Sequence, residues 1–239
     1  MLFDTDATFT GCHDLRDKGV DQLRYPVDSV VVLVGIPGAG KSTLLHRLSG
    51  TAADEPLPEQ RGGVRIVDSE QERLRWHRYV GGRSYAWWRP AVHAVHYGRV
   101  WAAIRHGGPV IVPDCGTRSW VRRLLGRLVA AERRALHLVL LDATPEQARA
   151  GQQTRGRSLG VQSFQRHCRR WGALLAAVER EGDPAHLVPG ARSAVILDLW
   201  AAERLRAVSF TSVSGRSDYG VVAELRSGSC SSPCPSPLP

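Results

Sequence analysis

The sequence has almost no lysine. Of its 32 basic residues, only Lys18 and Lys41 are lysines, and the remainder are arginines. A lysine in such a chain marks a place where a compact ammonium is needed and a guanidinium does not substitute. The formal net charge is +9, which admits a nucleic-acid partner because arginines neutralise phosphates. Arginines scattered over solvated helix faces explain the same charge, so both interpretations stay open at this point.

Long apolar runs and paired cysteines are also missing. No stretch approaches 18 consecutive apolar residues, which excludes a membrane-spanning helix and a membrane partner. The first 25 residues are acidic and carry no apolar run, so we expect no secretory signal. The five cysteines are odd in number and widely spaced, which predicts reduced thiols and a cytoplasmic protein. Cys230 and Cys234 form a single C-x3-C pair, too few ligands for a zinc site.

Composition divides the 239 residues into three parts. Residues 1–29 form an acidic leader with six acids and three bases. Residues 30–208 carry a formal charge of +12 and form the predicted catalytic domain. Of the 31 residues in the tail, 209–239, 16 are Ser, Pro or Gly, so we expect this part to be disordered.

Short apolar, β-branched runs alternate with helical patterns in the middle part. This alternation is typical of a parallel α/β sheet covered by helices on both faces. The apolar runs predict strands at 30–35, 64–68, 110–114, 136–141 and 194–197. The helical patterns predict helices at 41–49, 90–106, 118–134, 145–153, 161–180 and 200–207, with Thr144 as the N-cap of the fourth.

A phosphate-binding loop lies between the first predicted strand and the first predicted helix. Gly35–Ser42, GIPGAGKS, matches the pattern G-x-x-x-x-G-K-S in the context that its mechanism requires. Glycines allow successive N–H groups to face a phosphate, and the helix start adds its positive end. Lys41 supplies a mobile charge for the β- and γ-phosphates, and the Ser42 hydroxyl suits Mg²⁺. The expected nucleotide-binding residues are Gly35, Pro37, Gly38, Ala39, Gly40, Lys41, Ser42 and Thr43.

Residues 30–207 resemble the small P-loop kinases. The loop, a second strand ending in Asp, the strand VIVPD and the segment VLLDATPEQARAGQQTRGR are similar to the polynucleotide-kinase and zeta-toxin-like group, the AAA-type ATP-binding proteins of kinase type. The resemblance implies a P-loop NTPase fold of kinase type, with five parallel strands in the order 2-3-1-4-5. It also implies a lid between strands four and five, about 151–160, and the cofactors ATP and Mg²⁺.

Two aspartates end predicted strands beside the loop. The resemblance implies that Asp68 accepts the proton of the attacking hydroxyl, although it also suits a helix N-cap. Polynucleotide kinases carry an arginine three residues after this aspartate, whereas this chain has Gln71 there. Asp114 ends the third strand, where it suits Mg²⁺ held through water or the capping of the next helix.

Arginines and aromatic residues extend the predicted site. Arg155 and Arg157 match the kinase lid, whose arginines stabilise charge on the transferring phosphoryl group, and Arg149 is a further candidate. A second stretch lies where such kinases bind the acceptor, and its members suit either substrate contacts or core packing. They are Trp87, Trp88, Arg89, Pro90, His93, His96 and Tyr97.

Three functions follow from these features. The first is an ATP- and Mg²⁺-dependent kinase that phosphorylates a hydroxyl of a small molecule or nucleotide, as a monomer or dimer. The second is a polynucleotide-end kinase or another nucleic-acid-associated ATPase, which the +12 middle part favours. The third is a nucleotide-gated switch without phosphotransfer, because the loop alone does not fix the fate of the γ-phosphate.

Overall fold

The computed structural model of the protein describes residues 10–80, 85–154, 160–214 and 218–227. For 77–80, 85–89, 213–214 and 218–220 it describes the backbone alone. The strands of these residues are β1 Gly11–Asp14, β2 Gln22–Pro26, β3 Ser29–Val34, β4 Gln60–Arg61, β5 Val64–Ile66, β6 Val110–Asp114, β7 Ala135–Asp142, β8 Ala191–Asp198, β9 Ala207–Ser214 and β10 Asp218–Arg226. The helices are α1 Lys41–Ser49, α2 Ser69–Val80, α3 Tyr85–Arg105, α4 Ser119–Ala131, α5 Pro145–Gln153, α6 Val161–Glu181 and α7 Leu199–Arg204, with a 3-10 helix at Pro184–His186.

The main sheet has the order β1-β8-β7-β3-β6-β5-β4. Its middle five strands are the predicted ones, and they follow the order 2-3-1-4-5 that the resemblance implies. The predicted number of five strands is wrong, because β1 adds to β8 in parallel and β4 adds to β5 antiparallel. Both extra strands lie at sheet edges and are short and incompletely buried, so neither carries an apolar run in the sequence.

Strand β3 lies at the centre because all six of its residues are buried. It pairs in parallel with β6 on one side and β7 on the other, with Val32 opposite Val112 and Leu138. Pro113 is tolerated in β6 because β5 ends earlier and makes no ladder pair with this residue. The carboxyl ends of β3 and β6 therefore lie side by side, which brings the phosphate-binding loop next to Asp114.

A second sheet joins the two ends of the chain. It has the order β10-β9-β2, with β2 parallel to β9 and β10 antiparallel to it. The expectation of disorder from residue 209 onward is therefore wrong for residues 209–214 and 218–226, and the leader contributes β1 and β2. Alternate residues of these strands are buried in a common core, because a strand points successive side chains to opposite faces. The fully buried ones include Leu23, Tyr25, Phe210 and Leu225.

The helices cover both faces of the main sheet, as the alternating pattern predicts. Helices α1, α5 and the amphipathic α4 and α6 lie within about three residues of their predicted bounds. Thr144 caps α5 as predicted, since its hydroxyl accepts a hydrogen bond from the Gln147 amide and the Gln147 side chain accepts one from the Thr144 amide. In the part of the chain that the structure describes, no helix combines the length and the apolar character needed to cross a membrane.

Candidate active site

The phosphate-binding loop runs from the end of β3 into α1. Gly38 and Gly40 have φ of 95° and 88°, the left-handed region that glycine adopts without a steric penalty. Gly40 is also the N-cap of α1, so the amides of the loop and the helix start face the same space. The Lys41 ammonium donates to the Gly35 carbonyl at 2.6 Å and to the Ile36 carbonyl at 3.1 Å. The lysine therefore lies folded over the loop, within reach of a phosphate seated there.

Helix α5 supports this loop through direct backbone contact. A Cβ added to Gly38 would lie 2.0 Å from the Ala148 carbonyl oxygen, and one added to Gly151 would lie 2.5 Å from the Gly38 carbonyl oxygen. The side-chain nitrogen Nε2 of Gln152 also donates to the Pro37 carbonyl oxygen at 2.8 Å. The predicted lid thus begins inside α5, on residues that touch the loop. Arg155 and Arg157 lie outside the described residues.

A cavity of about 290 Å³ opens beside the loop. The four lining residues with a predicted catalytic or metal-binding role come from three separate segments, namely Lys41, Ser42, Asp68 and Asp114. Its other lining residues are Pro37, Gly38, Ser69, Glu70, Arg73, His93, His96, Tyr97, Pro113, Cys115 and Arg118. The parallel sheet produces this meeting, because β3, β5 and β6 all end at the same edge.

Asp68 is 7% exposed and follows β5 directly before α2. Its Oδ1 accepts hydrogen bonds from the Glu70 amide at 3.1 Å and the Ser69 hydroxyl at 3.4 Å. It therefore caps α2, which is one of the two alternatives raised by the sequence, and it also lines the cavity. Burial raises the pKa of this carboxyl.

Gln71 holds Asp68 in place. Its Oε1 accepts from the Asp68 amide at 3.2 Å, and its Nε2 donates to the Leu57 carbonyl at 3.0 Å and the Ile66 carbonyl at 3.2 Å. The residue that departs from the polynucleotide-kinase pattern thus joins three backbone groups around the end of β5. It is buried and does not line the cavity.

Ser42 and Asp114 offer the oxygen donors that a magnesium site requires. Asp114 Oδ2 accepts from the Gly116 amide at 2.6 Å, which fixes the carboxylate at the end of β6. Helix α4 has Arg118 as its N-cap, so Asp114 does not cap it. A hydroxyl and a carboxylate beside a phosphate-binding loop fit Mg²⁺, which takes its remaining ligands from water and phosphate. Within the described ranges, no cluster of three His, Cys, Asp or Glu side chains could bind a metal ion through protein ligands alone.

Histidine and tyrosine side chains of α3 form the opposite wall. His96 is 2% exposed, and burial lowers its pKa to about 4, so the imidazole is neutral at physiological pH. The His93 and Tyr97 rings are nearly parallel, with centroids 6.3 Å apart. Burial raises the pKa of the Tyr97 phenol. The side chains of Trp87, Trp88 and Arg89 lie outside the described residues.

A second cavity, of about 320 Å³, lies on the other side of the loop. It is lined by residues of the loop, α1, β7, α5 and α7, namely Gly38, Ala39, Gly40, Thr43, Leu44, Arg47, Leu141, Gln147, Gly151, Thr154, Leu199, Ala202 and Glu203. Sequence reasoning missed this space, because its walls come from three stretches that are far apart in the sequence, 38–47, 141–154 and 199–203. It also missed Glu70, Cys115 and Arg118 in the first cavity. The only available signal was their position just after a strand or before a helix.

The profile of the AAA domain family matches residues 30–180. The structure is also similar to a tunicamycin resistance protein of Deinococcus radiodurans (17% identity, 60% of this chain and 79% of that chain, TM-score 0.41). A gluconokinase from Sinorhizobium meliloti 1021 is similar as well (15% identity, 72% and 83%, TM-score 0.38). So is a shikimate kinase from Acinetobacter baumannii (18% identity, 72% and 86%, TM-score 0.39).

No curated protein gives a significant sequence match. The family match spans more than half of the chain and includes the loop, both strand-end aspartates and helix α5. It confirms the resemblance that the motifs carry, to AAA-type ATP-binding proteins of the small P-loop kinase kind. The chain belongs to the AAA domain family.

Proposed function

We propose that the protein transfers the γ-phosphoryl group of ATP to a hydroxyl of an organic acceptor, a small molecule or a nucleotide. One observation carries this proposal. A single cavity is lined both by the loop lysine, Lys41, and by a buried carboxylate, Asp68. A site that only hydrolyses or senses a nucleotide has no need of a walled space between these two groups.

The nucleotide is held mainly by backbone. Amides of the loop and of the α1 start bind the phosphates, and Lys41 leaves the loop carbonyls to contact the β- and γ-phosphates. The nucleobase occupies the second cavity, whose walls are largely apolar. Arg155 and Arg157 close over the γ-phosphate as lid arginines in this proposal.

Ser42 and Asp114 are the residues that hold magnesium. The Ser42 hydroxyl and the Asp114 carboxylate would each supply a hard oxygen donor to the ion. When bound, Mg²⁺ neutralises charge on the β- and γ-phosphates.

Asp68 receives the proton of the acceptor. The acceptor oxygen forms a bond to the γ-phosphorus, the bond between that phosphorus and the bridging oxygen of ADP breaks, and the hydroxyl proton passes to Asp68. Burial raises the pKa of this carboxyl, which makes its ionised form a stronger base than an exposed aspartate. His96 and Tyr97 supply polar atoms that position the acceptor at the opposite wall.

A transfer screen with γ-³²P-labelled ATP tests the proposal. The acceptors are nucleosides, sugars, aminoglycosides and oligonucleotides, with the Asp68→Asn variant assayed in parallel. We expect labelled product with at least one class and a loss of about 10²- to 10⁴-fold in Asp68→Asn at unchanged ATP affinity. Full transfer by Asp68→Asn, or ATP hydrolysis with no acceptor in any class, contradicts the proposed chemistry.

A further inference from the structure

Two neighbouring residues of the leader bind the carboxyl ends of two neighbouring strands of the main sheet. The Arg16 guanidinium donates from Nη1 to Asp142 Oδ2 at 2.9 Å, at the end of β7. The Asp17 amide donates to Asp198 Oδ2 at 3.2 Å, at the end of β8. The segment that follows β1 therefore connects the points at which β7 and β8 leave the sheet.

Asp142 and Asp198 lie opposite each other in the ladder between β7 and β8. Two carboxylates at the same level of neighbouring strands repel each other. Arg16 forms an ion pair with Asp142 at 2.9 Å, and among the described residues no other cation pairs with either aspartate. The positive charge of Arg16 therefore opposes a repulsion that would push the two strand ends apart.

Arg16 is fixed by two further carboxylates. Its Nε donates to Asp14 Oδ1 at 2.9 Å, and its Nη2 lies 2.7 Å from Glu179 Oε1, near the end of α6. Asp142 is fixed as well, because its Oδ1 accepts a hydrogen bond from Trp171 Nε1 of α6 at 3.4 Å. An isolated surface ion pair contributes little to stability, but a network that joins one guanidinium to three carboxylates holds its geometry. The leader, the end of β7 and α6 therefore form one connected unit.

The two strand ends lead into two helices that line the second cavity. Asp142 lies two residues before Thr144, the N-cap of α5. Asp198 is itself the N-cap of α7, since its Oδ1 accepts from the Ala201 amide at 2.7 Å. The lining residues on these helices and at the end of α5 are Gln147, Gly151, Thr154, Leu199, Ala202 and Glu203. The spacing of the strand ends therefore sets the spacing of these two walls.

Helix α7 depends on other segments for its position, because it has only six residues. At its carboxyl end, Arg47 of α1 donates to the Leu205 carbonyl at 3.0 Å and to two carbonyls of α7 itself. At its amino end, the N-cap Asp198 accepts from the Asp17 amide of the leader. Contacts from α1 at one end and from the leader at the other therefore determine where this wall of the cavity lies.

We propose that Arg16 is a positioning residue that holds the second cavity at the width that fits the nucleobase. This inference rests on the proposed function, in which the base occupies that cavity. Arg16 lines neither cavity, so it acts through Asp142 and the two helices. It precedes the residues that match the family, 30–180, and α7 follows them. The connection therefore joins two parts of the chain that lie outside the family match.

Loss of Arg16 is expected to weaken contacts to the base and to leave the triphosphate in place. Helix α5 is joined to the phosphate-binding loop by the packing of Gly38 against Ala148 and by the hydrogen bond from Gln152 to the loop. Repulsion between the strand ends therefore moves α7 away from α5, while α5 and the loop stay together. The loop amides and Lys41 still bind the phosphates.

Titration calorimetry of the full chain with ATP and with inorganic tripolyphosphate, both in the presence of Mg²⁺, tests the proposal. Tripolyphosphate has the three phosphates of ATP and no base. In Arg16→Gln, we expect the Kd for ATP to rise about tenfold and the Kd for tripolyphosphate to change by less than about twofold. A general loss of structure would raise both constants, so the ratio between them measures positioning of the base.

A second variant removes the repulsion itself. In Arg16→Gln/Asp142→Asn, the neutral side chain at position 142 still accepts from Trp171 and no longer repels Asp198. We therefore expect the Kd for ATP to return to within about threefold of the wild-type value. A purely structural loss at position 16 would not be repaired by a second substitution that removes a carboxylate.

Arg180→Gln is the matched control. Arg180 lies on α6 next to Glu179, is exposed, and pairs with Glu181 at 2.8 Å instead of with a strand end. Both dissociation constants are expected to stay unchanged in this variant. The proposal is overturned by an ATP affinity that stays unchanged in Arg16→Gln, that falls in step with tripolyphosphate, that falls equally in the control, or that the double variant does not restore.

The wild-type protein separates this inference from the proposed function. We expect it to bind both probes, with ATP bound more tightly than tripolyphosphate. Equal affinities for the two probes would overturn the pocket for the base, and the role of Arg16 with it, while phosphotransfer stays in place. Absence of ATP binding would overturn the proposed function itself.

Discussion

The two walls of the active-site cavity are built in different ways. The phosphate wall is one continuous stretch of backbone, Gly35–Ser42, held by glycine conformations and by backbone contact with α5. The opposite wall, which we call the acceptor wall after its proposed role, consists of side chains from α2, α3 and the segment before α4, such as Glu70, Tyr97 and Arg118. A wall of backbone presents amides to any nucleoside triphosphate, whereas a wall of side chains changes with each substitution. We therefore expect the phosphate wall to bind nucleoside triphosphates in general, and the acceptor wall to determine which acceptor is bound.

Removal of the Lys41 ammonium gives the largest expected effect on the phosphate wall. In Lys41→Ala, the β- and γ-phosphates lose their mobile cation, and we expect a fall of about 10³-fold in transfer. Steady-state transfer with labelled ATP measures it, and far-ultraviolet circular dichroism shows whether the fold is kept. Lys41→Arg is expected to restore little of the transfer rate, because the loop requires a compact ammonium. Full activity of Lys41→Ala would falsify the assignment of this wall.

Contact between α5 and the loop is tested by Gly151→Ala. The added Cβ would lie 2.5 Å from the Gly38 carbonyl, so helix or loop must shift, at a cost of about 1–3 kcal/mol in unfolding free energy. We expect weaker ATP binding as well, because the loop moves with the helix. Urea denaturation and ATP titration measure the two effects.

Gly172→Ala is the control for this substitution. Gly172 is also helical, in α6, and a Cβ there meets nothing within 4 Å. Alanine in a helix interior is therefore expected to stabilise the protein by about 0.5–1 kcal/mol. Equal changes in unfolding free energy and ATP affinity in the two variants would contradict a role for the backbone contact at Gly151.

Gln71→Ala tests how the acceptor wall is positioned. The change leaves the buried Asp68 amide and two buried carbonyls without their partner, at a cost of about 1–3 kcal/mol in stability. We expect kcat to fall while the ATP dissociation constant stays the same, because Asp68 moves and the loop does not. Gln165→Ala, at an exposed glutamine of α6, is the control. A change in ATP affinity equal to the change in kcat contradicts a role confined to this wall.

At neutral pH, the titration of buried histidines gives the smallest expected effect, and it grows only as the pH falls. Burial lowers the pKa of His137 and of His96 to about 4. Between about 6.5 and 4 the unfolded chain binds more protons than the folded one, so this stability is fully present above 6.5 and is lost as pH falls. The slope reaches about 1.4 kcal/mol per pH unit for each histidine. His137→Asn is expected to remove one such slope from denaturation curves recorded between pH 7 and 4, and an unchanged profile contradicts this.

Local signals account for what the sequence predicted well. The capping box at Thr144 and the loop glycines act within a few residues, so α1 and α5 have the predicted bounds. Helix α2 was not predicted, because two of its buried residues, Gln71 and Glu72, are polar while Leu74 is exposed. The second sheet was missed for a related reason. Ser209, counted with a polar tail, is fully buried, and its hydroxyl donates to Glu224 at 2.9 Å.

The residues of the site fall into the same two groups, those that local signals predict and those that they do not. Lys41, Ser42, Asp68 and Asp114 were predicted because a loop motif and strand ends fix them in a parallel sheet. Glu70, Cys115 and Arg118 were not predicted, since nothing local says which side chains that follow a strand end face the cavity. Whether an arginine has an acidic neighbour depends on the distant segment that packs against it.

Pairing between the two ends of the chain has a consequence for synthesis. Strand β1 pairs with β8 and β2 with β9, across more than 170 residues. As the ribosome makes the chain, residues 11–26 emerge first and have no strand partner until residues 191–214 follow. The phosphate-binding loop and its neighbours are translated in between. Formation of these contacts waits for residues 191–214, so closure of the two sheet edges is expected to be a late and slow step of folding.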